Sequence, residues 1–288
     1  MVVPMIYDRK TGETAVEKVY EDRAMDFLYH TIPGGAVVLL LRLPIVSGLY
    51  GLLQRSRRSI AKINKLIDTY GIDGDDYESV YTCFNDFIIR KRLWTDFDAA
   101  PNHLIAPADS CVLAYTIHKG QIMSIKGKTY TLSRFLRDKG LAEEYEGGTF
   151  LVFRLRVYDY HRFCFVDDGA VISRKRIGGF LDSVNRSATG RFTLATNRRE
   201  ISLLRTVNFG DIVYAEVGAL LVGRIVQTYS GVDFSKGDEK GYFEFGGSTV
   251  VLLLKKDIVK IDDDIAEYSR REIETKVSSG ERIGARLA

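Results

Sequence analysis

Residues 241–254 read Gly-Tyr-Phe-Glu-Phe-Gly-Gly-Ser-Thr-Val-Val-Leu-Leu-Leu, a glycine pair and a serine running into a solid apolar block. The block Val250–Leu254 has the character of a strand buried on both faces. Gly246 and Gly247 leave the backbone open to close approach and to angles that other residues avoid. Ser248 therefore stands at the junction of a tight turn and a rigid core strand. A strained turn would bring the Gly247 carbonyl within reach of its hydroxyl. By themselves these residues favour the plainer reading, a glycine turn entering a strand. Stretches elsewhere in the chain change that judgement.

Working outward, the flanking sequence reads mainly as strands. Thr149–Val157 alternates in its second half, and Val112–Ile117 and Gln121–Ile125 flank Lys119-Gly120 as a hairpin would. Further strands are expected at 163–166, 170–177, 201–206, 212–217, 220–229 and 249–254. Thr131–Lys139 reads as a short helix stopped by Gly140, and Val80–Arg90 as a short mixed helix. Short strands between Gly and Asp turns predict an α+β fold: a mostly antiparallel, barrel- or sandwich-like catalytic domain with few helices.

The N-terminal quarter differs. Residues 1–25 form a polar, hairpin-like lead-in. Gly34–Leu53 is long enough to cross a bilayer but carries Arg42 and Pro44 at its middle, which cost several kcal/mol there and break the rod. Gln54–Ile67 holds five basic residues and no acid, with Ile60, Ile63, Ile67 and Tyr70 on one helical face. An apolar hairpin before a basic amphipathic helix predicts an element lying in the interface of an anionic membrane. The competing reading is a core helix pair with a solvated basic face. Gly71–Asp76 is the expected boundary, giving a membrane-associated segment, 1–75, and a catalytic domain, 76–288.

At 288 residues the chain can build one large domain with an appendage, and 27% charged residues with 45% hydrophobic excludes a disordered chain. Cys83, Cys111 and Cys164 have no paired spacing and no histidine cluster around them, so neither a disulfide framework nor a zinc site is expected. No signal peptide is evident at the start, which points to the cytoplasmic side.

Of four histidines, His30, His103 and His118 read as surface or satisfied groups. His161 differs, because Tyr158-Asp159-Tyr160-His161-Arg162-Phe163-Cys164 surrounds it with an acid, an arginine, two tyrosines and a thiol. Asp109, in Ala106-Pro107-Ala108-Asp109, and Ser183, in Ser183-Val184-Asn185, are ambiguous alone. Lys236 beside Gly237 is a poor candidate for a displayed carrier lysine. A serine hydrolase built on Ser248, His161 and Asp109 would lack a Gly-x-Ser-x-Gly elbow.

Taken together and in order, these pieces resemble the phosphatidylserine decarboxylase family. They are Phe84-Asn85-Asp86-Phe87, Ala106-Pro107-Ala108-Asp109, Ile125-Lys126-Gly127-Lys128-Thr129-Tyr130, Asp159-Tyr160-His161-Arg162, Ser183-Val184-Asn185, Val217-Gly218-Ala219 and Gly246-Gly247-Ser248-Thr249. The resemblance implies a proenzyme that cuts itself between Gly247 and Ser248, giving chains 1–247 and 248–288. Ser248 would attack the Gly247 carbonyl, and elimination followed by loss of ammonia would leave a covalent pyruvoyl group at position 248. That group would form a Schiff base with phosphatidylserine and release carbon dioxide, giving phosphatidylethanolamine. By motif position, His161 corresponds to the decarboxylation histidine, Ser183 to a serine near the substrate, and Asp109 to the self-cleavage acid. The two chains would stay together as a heterodimer, peripheral on the cytoplasmic face of the membrane, and a further dimer is usual for similar proteins.

One departure stands out. The family pattern is Asp-Tyr-His-Arg-x-His, and this chain has Cys164 where the second histidine belongs. Either Cys164 is the cleavage base, or His161 serves both steps, or processing is slow or absent. The last case would make the chain an unprocessed, lipid-binding relative without activity.

Overall fold

The computed structural model describes residues 5–17, 26–28, 31–41, 43–72, 80–93, 96–118, 121–125, 128–181, 194–219, 224–244 and 248–287. Its strands begin with β1 (Met5–Asp8), β2 (Glu13–Val16), β3 (His103–Ile105), β4 (Ser110–Thr116), β5 (Gln121–Ile125) and β6 (Lys128–Thr131). Then come β7 (Thr149–Leu155), β8 (Arg162–Cys164), β9 (Gly169–Ile177), β10 (Arg199–Thr206), β11 (Gly210–Gly218) and β12 (Ile225–Gln227). The last are β13 (Asp233–Phe234), β14 (Glu239–Phe243), β15 (Ser248–Leu254), β16 (Val259–Ile261), β17 (Glu274–Val277) and β18 (Arg282–Arg286). Helices are α1 (Ile32–Leu41), α2 (Pro44–Gln54), α3 (Ala61–Tyr70), α4 (Phe84–Ile88), α5 (Leu132–Leu136), α6 (Lys139–Glu144) and α7 (Asp263–Arg270).

Ten strands form one open sheet in the order β13-β9-β10-β11-β15-β7-β4-β17-β1-β2, with only the β1–β17 pairing parallel. The sheet has two ends, so the barrel alternative gives way to a sandwich-like α+β arrangement. β15 lies at its centre, and all seven of its residues are buried. Val250, Leu252 and Leu254 face a layer that includes Phe163, Phe165 and Phe243. Val251 and Leu253 face Leu132, Phe135 and Leu136 of α5. A strand covered on both sides has no reason to alternate, which is why the run is continuously apolar. Each such side chain contributes about 1.5–3 kcal/mol on burial.

A smaller sheet, β12-β14-β8, supplies the first of those layers. It carries the stretch around His161 across the face on which Ser248 lies. The polar lead-in is a hairpin as expected, and it is fastened to the large sheet by charge. Arg154 donates to Glu17 at 2.9 and 3.0 Å and to Glu274 at 2.5 to 3.2 Å, all three side chains being buried.

Three local expectations need correcting. β4 pairs with β7 and β17 while β5 pairs with β6, so Val112–Ile117 and Gln121–Ile125 are not hairpin partners. Gly140 lies inside α6: Arg137, at φ 48°, ends α5, and Asp138 caps the new helix by accepting from Leu141 N–H at 3.0 Å. Along α3, Ile63 and Leu66 are buried against Phe84, Phe87 and Ile88, with Ile67 and Tyr70 beside them. That face is protein core, and Ile60 lies partly exposed outside it. The exposed apolar surface belongs to α1 and α2 instead.

Candidate active site

Ser248 opens β15 and pairs with Gly218 on one side and Leu155 on the other. Its side chain shares the face of Val250, so it points toward the β12-β14-β8 layer. The residue is fully buried, and its Oγ has no hydrogen-bond partner among the described residues. An unsatisfied buried hydroxyl costs about 1–3 kcal/mol. A hydroxyl held in that state adds nothing to the stability of the folded chain.

His161 is also fully buried, immediately before β8. Its Nδ1 lies 2.8 Å from the Asp159 carbonyl oxygen. A carbonyl can only accept, so Nδ1 carries the proton and Nε2 holds the lone pair. Burial, helped by the Arg90 charge, lowers the pKa from 6.5 to about 4. The ring is therefore a neutral imidazole near pH 7, able to receive a proton at Nε2. The backbone ties it to the end of β14, the strand that precedes Ser248 in the chain, because Phe243 N–H donates to the His161 carbonyl at 3.0 Å.

Asp109 lies just before β4. Its Oδ2 accepts from Arg92 Nη2 at 2.5 Å and its Oδ1 from the Ser279 N–H at 2.8 Å. Ser279 Oγ in turn lies 3.8 Å from Cys164 Sγ, and the thiol faces the Ala106 carbonyl at 3.9 Å. The fold thus gathers Asp109, Cys164 and Ser279, three positions scattered across the sequence. Burial pushes the Cys164 thiol up to about 11. At neutral pH it stays protonated, and a protonated thiol removes no protons.

A cleft of about 770 Å³ opens beside Asp109, with Arg90, Arg92, Arg156, Asp159 and Tyr160 among its walls. It reaches Asp159 and Tyr160, beside His161, whereas neither Ser248 nor His161 lines it. Gly247 and Ser183, like His30, fall outside the described residues. His103 is a paired surface group, Nδ1 to Asp98 Oδ2 at 2.8 Å, and Lys236 is spent on the carbonyls of Ala100 and His103.

Sequence reading missed Arg92 and Ser279, the two partners of Asp109. Arg92 sits in a basic triplet that resembled any solvated run, and Ser279 is 170 residues from the acid it serves. Also missed was the buried pair Lys240–Glu216, Nζ to Oε1 at 2.5 Å, on the same sheet face as Ser248. Lys240 sits among Phe163, Phe165, Tyr214 and Tyr229, so burial lowers its pKa and raises that of Glu216.

Comparison with known proteins bears on this arrangement. The phosphatidylserine decarboxylase family model matches residues 84–285. Phosphatidylserine decarboxylase proenzyme 2 of Clostridium acetobutylicum is 45% identical over 284 residues, covering 97% of each chain. The phosphatidylserine decarboxylase proenzyme of Ruminiclostridium cellulolyticum is 42% identical over 289 residues, 97% of this chain and 96% of its own. That of Clostridium botulinum strain 657 is 39% identical over 290 residues, 97% and 98%.

Proposed function

The chain belongs to the phosphatidylserine decarboxylase family, and we propose that it cuts itself at Gly247-Ser248 and then converts phosphatidylserine to phosphatidylethanolamine and carbon dioxide. One observation carries the reading: the buried, unpartnered Ser248 hydroxyl at the head of the central strand. Ser248 Oγ adds to the Gly247 carbonyl carbon, and the C–N bond breaks as the C–O bond forms, freeing the amine of residue 248. A base removes the Ser248 Cα proton, and the ester C–O bond then breaks, leaving Gly247 as a carboxylate. Hydrolysis of the resulting dehydroalanine expels ammonia and leaves the pyruvoyl group.

We assign proton transfer in both steps to His161, as the base that takes the Ser248 proton during cleavage and as the group that returns a proton to the carbon losing carbon dioxide. Its Nε2 lone pair and neutral ring support the role, while the raised Cys164 pKa weighs against a thiolate. Asp109, fixed by Arg92 and Ser279, belongs to the cleavage machinery by motif position, as Ser183 belongs to substrate binding. The pyruvoyl group supplies a ketone that takes up the substrate amine and draws in electrons as carbon dioxide leaves. The protein around it supplies a dry wall of Leu155, Phe163, Phe243 and Val250 and one histidine to move the proton.

The helical segment within 1–75 serves as the docking element for the domain 76–288. Leu39, Leu40, Ile45, Leu49, Leu52 and Leu53 are each at least 60% exposed, and the exposed Arg57 and Arg58 follow directly. Apolar and basic surface side by side suits the interface of an anionic bilayer. No helix among the described residues is long and apolar enough to cross one. We place the protein peripherally on the cytoplasmic face. Cleavage would leave β15 through β18 in the short chain, still paired inside the sheets, so the heterodimer holds together without a linker.

Intact-mass measurement tests the reading. Two fragments ending at Gly247 and beginning at a blocked residue 248 are expected, and vesicles containing phosphatidylserine should yield carbon dioxide and phosphatidylethanolamine. A single uncut chain that binds such vesicles without turning them over would favour the unprocessed lipid-binding relative, the reading that Cys164 in place of histidine keeps open.

A further inference from the structure

Glu244 stands four residues before Ser248, and its side chain is 6% exposed. Both carboxylate oxygens accept from Arg55 Nη2, at 2.8 and 2.7 Å, across 189 residues of sequence. Arg224 Nε lies 3.6 Å from the same carboxylate, and Glu244 N–H donates to the Arg224 carbonyl at 3.1 Å. One residue earlier, Phe243 is bonded to the His161 backbone. The strand end that runs toward the scissile bond is therefore held on one side by the histidine and on the other by Arg55.

Arg55 is no ordinary surface cation, because it caps α2, its N–H donating to the carbonyls of Gly51 and Leu52. The buried side of α2 is Gly51 and Gln54, and Gln54 is anchored through its carbonyl to Ser59 Oγ and through Oε1 to Lys62 Nζ. Its outer side is Ile45, Leu49, Leu52 and Leu53. A single ion pair with a buried carboxylate thus joins the helix exposing the most apolar surface to the chain entering the cleavage turn. A buried carboxylate must keep its cationic partner, so where α2 goes, Glu244 follows.

We propose that Arg55 is a positioning residue for self-cleavage: through Glu244 it sets the strand end that presents Gly247 to Ser248, and so passes the seating of α2 on an anionic bilayer to the scissile turn. The proposal rests on Gly247-Ser248 being the bond that is cut. Nucleophile and carbonyl must meet within a few tenths of an ångström, and an error of about 1 Å costs on the order of 100-fold in rate. In water the outer face of α2 has no apolar layer to rest on; on a bilayer it has one, and its C-terminal cap is fixed. Arg57 and Arg58 remain free to meet lipid phosphates while Glu244 keeps Arg55 for the turn.

The experiment follows release of fragment 248–288 from full-length chain made in a lipid-free cell-free system. Vesicles of phosphatidylcholine alone, or of phosphatidylcholine with phosphatidylglycerol, are added. Wild-type chain is expected to cut several-fold faster with the anionic vesicles. Arg55→Ala and Glu244→Gln should cut about tenfold more slowly and at one rate with either vesicle, while still sedimenting with the anionic ones. Arg55→Lys, which keeps a cationic donor, should recover most of the rate and its vesicle dependence. A purely structural ion pair would lower the yield of folded chain but leave the ratio between vesicles unchanged. Arg55→Ala cutting at the wild-type rate with the wild-type vesicle ratio, or folded Arg55→Lys as slow as Arg55→Ala, overturns this proposal alone. A wild-type chain that never cuts overturns the cleavage reading and this proposal with it.

Discussion

Two apolar stretches of this chain meet opposite fates. Residues 250–254 are wholly buried, with protein on both faces of the strand. Residues 32–41 and 44–54 form two short helices most of whose leucines face outward. Apolar content is similar, so composition cannot separate them. Geometry does: β15 has a paired strand on each side and a packed layer on each face. The helix pair is broken near Pro44, and each half, ten or eleven residues long, spans about 15 Å, half a bilayer core. One stretch is solvated by protein, and the other has no protein layer over its exposed leucines among the described residues.

The largest effects test that contrast directly. Leu252→Asp places a charge in the closed layer, costs several kcal/mol, and should leave no folded protein by circular dichroism. The same change at Leu52, 62% exposed on α2, should leave the melting temperature within error. Its effect should appear in vesicle sedimentation instead, as a loss of at least about tenfold, since seating one leucine is worth about 1.5–3 kcal/mol. A Leu52→Asp chain that melts early, or binds vesicles as before, would make α2 part of the protein core.

The same contrast explains how much the sequence disclosed. β15, β11 and β10 lie within two residues of their expected ends, because continuous or alternating apolar runs encode them locally. Partnership was less legible. β1 adds to β17 across the length of the chain, and the residues that fasten the lead-in, Glu17, Arg154 and Glu274, follow no period. At the site, motif order pointed to Ser248, His161, Asp109 and Cys164, but nothing local joined Asp109 to Ser279 or Glu244 to Arg55. For residues 60–70 the apolar face was visible and its occupant was not: α4 covers it.

Acid should separate the two regions by a smaller margin. His161 is held neutral in the folded chain, its pKa lowered from 6.5 to about 4 by burial and by Arg90. Between those values the unfolded chain binds a proton that the folded chain refuses, so stability falls as pH drops through 6.5 toward 4. The unfolding free energy from urea titrations should fall by roughly 2 kcal/mol between pH 7 and pH 5 from this group alone. His161→Gln, which keeps an N–H for the Asp159 carbonyl, should flatten that part of the slope and leave the chain uncut. The α1–α2 face carries no histidine or carboxylate among its helical residues, so its seating on vesicles should not weaken over the same range. An unchanged slope in His161→Gln would mean that the ring is already charged or solvated in the folded state.

The smallest effect is the most informative about chemistry. Cys164 occupies the position where the resemblance to the family pattern implied a histidine, inside the same closed interior as β15. There the thiol is pushed up to about 11 and faces a carbonyl and a hydroxyl rather than a cation. At pH 7 its thiolate fraction is about one in ten thousand. Cys164→Ala should therefore leave the rate of fragment release nearly unchanged, at a cost in stability of about 1 kcal/mol for the lost side chain. Full-length chain persisting on a denaturing gel would require a thiolate in an apolar layer. Only a cation moving next to Cys164 could provide it; Arg92, whose charge reaches the thiol, is committed to Asp109 at 2.5 Å, and Lys236 to two backbone carbonyls. On the mechanism proposed here, the burial that keeps β15 in place also keeps Cys164 protonated, and the proton falls to His161.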